Sequence, residues 1–184
     1  MSRTRKITTD DILDAAERVV ARLGAAALSI DAVAQEAGVS KSRVVYDHKS
    51  KSGLLEALIE RQIGREQERQ EAAIKAAADT PHPELFGRIA GAARTLNEVD
   101  KAVAMAVCAS MSGEQKVQEQ IRDWVEADLK AMADGPRPKA ALMAYLALGG
   151  FCNTEFFSFY RWGEAEKQEI LEGIRKIYIS FPED

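Results

Sequence analysis

Apolar residues recur three and four positions apart along almost the whole 184-residue chain. That spacing lines one face of an α-helix; a strand alternates instead. The prolines fall at Pro81, Pro83, Pro136, Pro138 and Pro182. Proline inside a helix removes a hydrogen bond and clashes with the preceding turn, so these positions mark gaps between helices. The chain is expected to be all-α, with about nine helices and no sheet.

The cap signals locate the helices. Thr8 or Thr9, followed by Asp10 and Asp11, opens a first helix that carries Ile12, Ala15, Ala16, Val19, Val20 and Leu23 on one stripe, and Gly24 closes it. Ser29 caps a short second helix that Gly38 ends, and Ser40 caps a third through Tyr46. Ser50 caps a long fourth helix running towards Ile74 or beyond. Helices then follow near 84–96, 98–111, 114–133, 138–162 and 164–180.

With 46% apolar residues the chain can bury a real core. Its net charge is −4, so any affinity for nucleic acid has to be local. Residues 1–65 hold 11 Lys/Arg against 9 Asp/Glu, and the remainder is acidic. Cys108 and Cys152 stand far apart, without CxxC spacing, which fits a reducing cytosol and gives no disulfide or zinc framework. No apolar run follows the N-terminus, so a signal peptide is not expected. Residues 141–160 are long enough to span a bilayer, but Asn153, Thr154 and Glu155 would be costly in lipid, and a buried soluble helix is expected there. No HExxH, P-loop, GxGxxG or GxSxG pattern occurs, and neither His48 nor His82 has a neighbour at metal-ligand spacing. Neither an enzyme nor a cofactor is expected.

The stretch AVAQEAGVSKSRVVYDHKSKSGLL, residues 32–55, holds two segments too short to be stable alone. Ala34 and Gly38 would let the next helix approach steeply, with Val39 and Val44 turned to the core. This is the pattern of a helix-turn-helix, although an ordinary pair of short core helices shares it. Ser40, Lys41, Ser42 and Arg43 would occupy the leading end of a reading helix, where free N–H groups favour phosphate. Arg43 can fork onto a guanine, Val45 can meet a thymine methyl, and Tyr46 can reach a phosphate. His48 and Lys51 add donors beyond it, and Ser29 stands at the cap of the supporting helix. Arg3, Arg5 and Lys6 would form a short basic arm able to follow the backbone or enter a minor groove.

These residues resemble the TetR family of bacterial transcription regulators. The likeness covers residues 8–60, through ILDAAERVVARLG and LSIDAVAQEAGVSKSRVVYDHKSKSGLLEAL, with the AGVSK turn and the Ser50-Lys51, Leu54-Leu55 entry as its most specific pieces. Family members commonly carry Tyr where this chain has Val45, Phe where it has His48, and an acid where it has Ser52. The resemblance implies a helix-turn-helix DNA-binding domain over residues 1–52 and a helical ligand-binding and dimerisation domain over 53–184. It implies a cytoplasmic homodimer, paired through its last two helices, that binds a palindromic operator as a repressor and leaves it when a small effector binds. The alternative is an all-helical enzyme or protein-binding adaptor that keeps the fold without a DNA role.

The aromatic residues Phe151, Phe156, Phe157, Phe159, Tyr160 and Trp162 are expected on one helix, around more than one face, which calls for a partner helix. Gly149 and Gly150 suit a close approach there. By analogy with the family's central helices, Met105, Cys108 and Trp124 are candidate pocket walls, and equally plain core. Cys152 and Phe156 extend that set, with Tyr145, Asn153 and Glu155 as its polar members. Such a pocket would suit a largely apolar ligand, and an inward Glu155 would favour a cation or a hydrogen-bond donor over an acid.

Overall fold

The computed structural model describes residues 7–94, 97–110 and 115–184. Among these the chain forms nine α-helices and one short 3₁₀ turn, with no strand. In chain order they are α1 (Thr9–Leu23), α2 (Ile30–Ala37), α3 (Lys41–His48), α4 (Lys51–Ala76), α5 (Pro83–Ala92), α6 (Glu98–Ser110), α7 (Gln115–Ala133), α8 (Pro138–Phe156) and α9 (Glu164–Ser180). The 3₁₀ turn, Ala25–Ala27, follows α1 and was not expected.

The helices gather into two compact units. The first holds residues up to 64 together with 97–118. Its α1 starts in a reciprocal cap, with Thr8 Oγ1 accepting from Asp11 N–H at 3.2 Å and Asp11 Oδ2 accepting from Thr8 N–H at 2.8 Å. Gly24 ends the helix at φ 80°, a conformation a side chain would strain. The stripe read from the sequence is buried: Ile12, Ala16, Val19 and Val20 meet Leu28, Val33, Val44, Leu54 and Leu58. Each fully buried aliphatic side chain contributes about 1.5–3 kcal/mol. Val103 and Ala106 of α6 complete this core, so α6 packs on α1 with the N-terminal helices. Arg18 and Arg22 both pair with Glu36 at 2.9 Å, tying α1 to α2. Arg61 of α4 pairs with Asp14 and Glu17 of α1.

The second unit holds residues 65–96 and 119–184. Ala140, Ala141 and Ala144 present a flat face on α8, and Leu171, Ile174 and Tyr178 of α9 share a core with it. Leu85 and Ile89 of α5 and Met132 of α7 fill the rest. Gly87 is needed for close approach, since a Cβ there would lie 2.7 Å from the Ile74 backbone. Arg88 pairs with Glu84 and with Asp128, and the Tyr145 hydroxyl donates to Asp128 Oδ2 at 3.1 Å. His82 caps α5, its Nδ1 accepting from Leu85 N–H at 3.2 Å.

Two elements end earlier than the sequence suggests. The helix expected near 84–96 stops at Ala92. The helix expected over 138–162 stops at Phe156. Ser158 takes φ 53°, Phe159 N–H reaches back to the Thr154 carbonyl at 3.0 Å, and Ser158 N–H to the Glu155 carbonyl at 3.2 Å. These bonds close the helix in a left-handed turn without glycine. Phe157, Phe159, Tyr160 and Trp162 therefore lie beyond the helix rather than around its girth. They form a folded aromatic turn in which Phe157 stacks on Phe159 at 5.2 Å and Tyr160 meets Trp162 at 4.5 Å. Apart from the backbone of α8 itself, no described residue lies within 4 Å of a Cβ added at Gly149 or Gly150.

Candidate nucleic-acid interface

The first unit presents α3 through two local devices. Gly38 sits in the left-handed region, at φ 67° and ψ 32°, and its N–H and that of Val39 reach back to the carbonyls of Ala34 and Gln35. Ser40 then caps α3 by accepting from Arg43 N–H at 3.3 Å. A helix of eight residues is held in place mainly by its neighbours, and Val44 is its buried anchor.

The opposite face is open. Ser40, Lys41, Ser42, Lys49 and Lys51 are exposed, as are Val45 and Tyr46, the last at 79%. Lys41 lies 2.9 Å from Asp31 of α2, an exposed pair that solvent and salt weaken. The Arg43 guanidinium is held more firmly. It pairs with Asp47 at 3.1 Å and lies 5.9 Å from the centre of the Tyr46 ring. The Thr9 hydroxyl of α1 donates to the same Asp47 carboxylate at 3.3 Å.

Two of the sequence-predicted residues stand apart from this face. Ser29 is half-buried and caps α2, accepting from Ala32 N–H at 3.1 Å. His48 is turned inward, only 8% exposed, with no partner for Nε2 among the described residues. Burial lowers its pKa, against a smaller opposing pull from Asp47. It occupies a packing position rather than one that offers a donor to solvent. Arg3, Arg5 and Lys6 lie outside the described residues.

The sequence reading missed Asp47 and Thr9. The signal for Asp47 was present, because residues four apart on a helix face each other and Arg43 and Asp47 have that spacing. Nothing local points to Thr9.

The predicted pocket residues do not fall in one unit. Met105, half-exposed, and Cys108 are on α6 in the first unit, and burial raises the Cys108 pKa. Trp124, Tyr145, Cys152, Asn153, Glu155 and Phe156 are in the second. Burial, then Asp128, push the Tyr145 hydroxyl up to about 12. Burial, then Glu155 and Glu66, push the Cys152 thiol up to about 11. Glu155 is already ion-paired with Lys167, Asn153 is exposed, and Phe156 rests edge-on against Phe157. In this unit Asp128 gathers several partners, with Arg88 and Tyr145 on it and the Gln70 amide beside it. Burial works against the Arg88 charge, but Asp128 and Glu84 more than offset it and raise its pKa. Among the described residues no cluster of His, Cys, Asp and Glu is suited to a metal ion. No described helix is long and apolar enough to cross a membrane.

Comparison with known proteins gives a consistent picture. Residues 12–58 match the family model for bacterial regulatory proteins of the tetR family. Residues 88–178 match that for the tetracyclin repressor-like C-terminal domain. A member of the TetR family from Streptomyces coelicolor A3, SCO1917, superposes with a TM-score of 0.70 at 21% identity, covering 90% of this chain and 96% of that one. The multidrug binding protein EbrR, complexed with malachite green, gives 0.68 at 23% identity over 90% and 96%. A TetR-like transcriptional regulator from Rhodococcus sp. RHA1 gives 0.60 at 18% over 94% and 96%. At these identities the structural likeness speaks for the fold alone. No curated protein matches the chain.

Proposed function

The chain belongs to the TetR family of bacterial regulatory proteins, transcription regulators rather than enzymes, and we propose that its α3 face binds an operator in the major groove. One observation carries this reading. In a chain of net charge −4, a short helix fixed by the Gly38 turn turns Ser40, Lys41, Ser42, Arg43 and Tyr46 outward, with Lys51 just beyond it. Arg43 would read a guanine, while Lys41, Lys51 and Tyr46 would hold phosphates. Residues 1–52 serve this role and 53–184 serve effector binding and pairing, with α6 as the later helix packed on α1. Repression follows from occupying a promoter in the cytoplasm.

The unit pairs with a second copy through α8 and α9. Leu146, Gly150 and Asn153 of α8 and Ile179 of α9 are exposed, and the open space over Gly149 and Gly150 suits a second backbone. A two-fold pairing places two α3 helices for half-sites about 34–36 Å apart or a multiple of it. The effector is small and largely apolar, with one or two polar ends. EbrR has been crystallised with imidazole and with malachite green, which supports a small organic effector here. The effector releases DNA by preferring a subunit geometry that misfits the operator.

Selection of bound duplexes from a random pool tests the reading. A two-fold symmetric consensus is expected; no enrichment at any salt concentration contradicts it. Leu146→Glu, which charges the exposed face of α8, should give monomers in sedimentation with little specific binding. An unmodified protein that sediments as a monomer at micromolar concentration overturns the pairing.

A further inference from the structure

Asp47 is an acid on a face that should meet a polyanion. It also stands in the last turn of α3, where the carbonyl ends of the helix disfavour negative charge. Its side chain is nevertheless only 6% exposed and engaged twice. The Arg43 guanidinium, one turn back, pairs with it at 3.1 Å, and the Thr9 hydroxyl donates to the same Oδ2 at 3.3 Å. Arg43 keeps 35% of its side chain exposed and lies against the exposed Tyr46 ring. The carboxylate engages one edge of the guanidinium, the aromatic ring covers its flank, and N–H donors remain for a ligand.

We propose that Asp47 is a specificity-determining positioning residue. It holds Arg43 against Tyr46 so that the guanidinium meets a base edge instead of the phosphates. This rests on the reading that α3 enters the major groove. A bidentate contact with guanine needs the planar fork in one orientation, whereas a phosphate accepts it from many. An unrestrained arginine on this face would therefore serve every sequence. Asp47 also withdraws positive charge from the interface and so weakens the background affinity for any duplex. Both effects favour discrimination, and Thr9 anchors the carboxylate to the start of α1.

The test measures the affinities of the full-length chain for its selected duplex and for a scrambled one, by fluorescence anisotropy. For Asp47→Ala the ratio of the two should fall about tenfold, the size of a lost base contact. Affinity for the scrambled duplex should rise, and its salt dependence should steepen by about one counterion as Arg43 turns to phosphate. In an Arg43→Ala background, removing Asp47 should leave the ratio unchanged. Melting temperature and helicity are read alongside, and the isosteric Asp47→Asn carries the same test if the alanine variant loses helicity. A ratio that survives both substitutions overturns the proposal, as does a parallel loss of both affinities in a folded variant. The same drop with Arg43 already removed also overturns it, because the effect would not pass through Arg43. Wild-type protein that does not distinguish the duplexes overturns the DNA reading itself, and this inference with it.

Discussion

In the first unit, helix ends are closed by residues that are neighbours in sequence. Thr8 bonds Asp11, Ser29 bonds Ala32, Ser40 bonds Arg43 and Ser50 bonds Gly53. In the second unit, α8 begins at Pro138 with no side-chain bond from its cap residue, Arg137. Its leading N–H groups are met from the far end of the chain, Glu183 accepting from Ala140 at 2.8 Å and from Lys139 at 3.2 Å. Arg137 in turn donates to the carbonyls of Ile179 and Phe181. The start of α3 is thus defined by short-range chemistry, and the start of α8 by chemistry that exists only once the chain has folded. A module that must present the same face to DNA gains from local definition; one that must fit its own ligand and partner can vary.

The largest effect should come from the polar network of the second unit. Asp128→Ala leaves Arg88, 11% exposed, without its buried partner. The expected loss is about 3 kcal/mol or more, read as a lower melting temperature or denaturation midpoint. A loss below about 1 kcal/mol, the level of an exposed pair, would mean that the network is not buried in solution.

The caps sharpen the contrast more gently. Ser40→Ala and Glu183→Ala should each cost about 1 kcal/mol, the ordinary value of a lost cap. Amide exchange should locate the first loss at the start of α3 and the second at the start of α8. Exchange at the start of α8 that ignores Glu183 would break the comparison.

The smallest effect concerns His48. Burial holds its folded-state pKa below the usual value near 6.5. Between the two values the unfolded chain binds more protons, so this contribution is complete above about pH 6.5 and is lost as pH falls below it. The melting temperature of the wild type should therefore drop between about pH 7.5 and about pH 5.5, and His48→Phe should drop less. Equal acid sensitivity in both would place the titrating group elsewhere.

The same contrast explains what the sequence disclosed. Thr8, Gly24, Ser29, Gly38, Ser40 and Ser50 could be read because each acts within three or four residues of its partner. The bounds of α9, flanked by Gly163 and Phe181, were legible for the same reason. The end of α8 was not, because Ser158 takes a left-handed turn that no glycine announces. The packing of Val103 and Ala106 against α1 is a long-range contact, and periodicity shows which face of a helix is apolar but not what covers it. The inward turn of His48 was left open by composition and decided by the position of Val44 and its neighbours. Asp47 has the four-residue spacing that pairs it with Arg43, but its contact with Thr9 is long-range and leaves no local signal.

The most direct test of the proposed α3 interface is the double variant Arg43→Ala/Lys51→Ala, measured with wild type on the selected duplex from low to moderate salt. The double variant should lose at least about tenfold in affinity at low salt, from the base contact, and show a salt slope smaller by about one phosphate, from Lys51. Equal affinity and equal slope for the two proteins would show that DNA, if bound at all, is bound somewhere other than the α3 face.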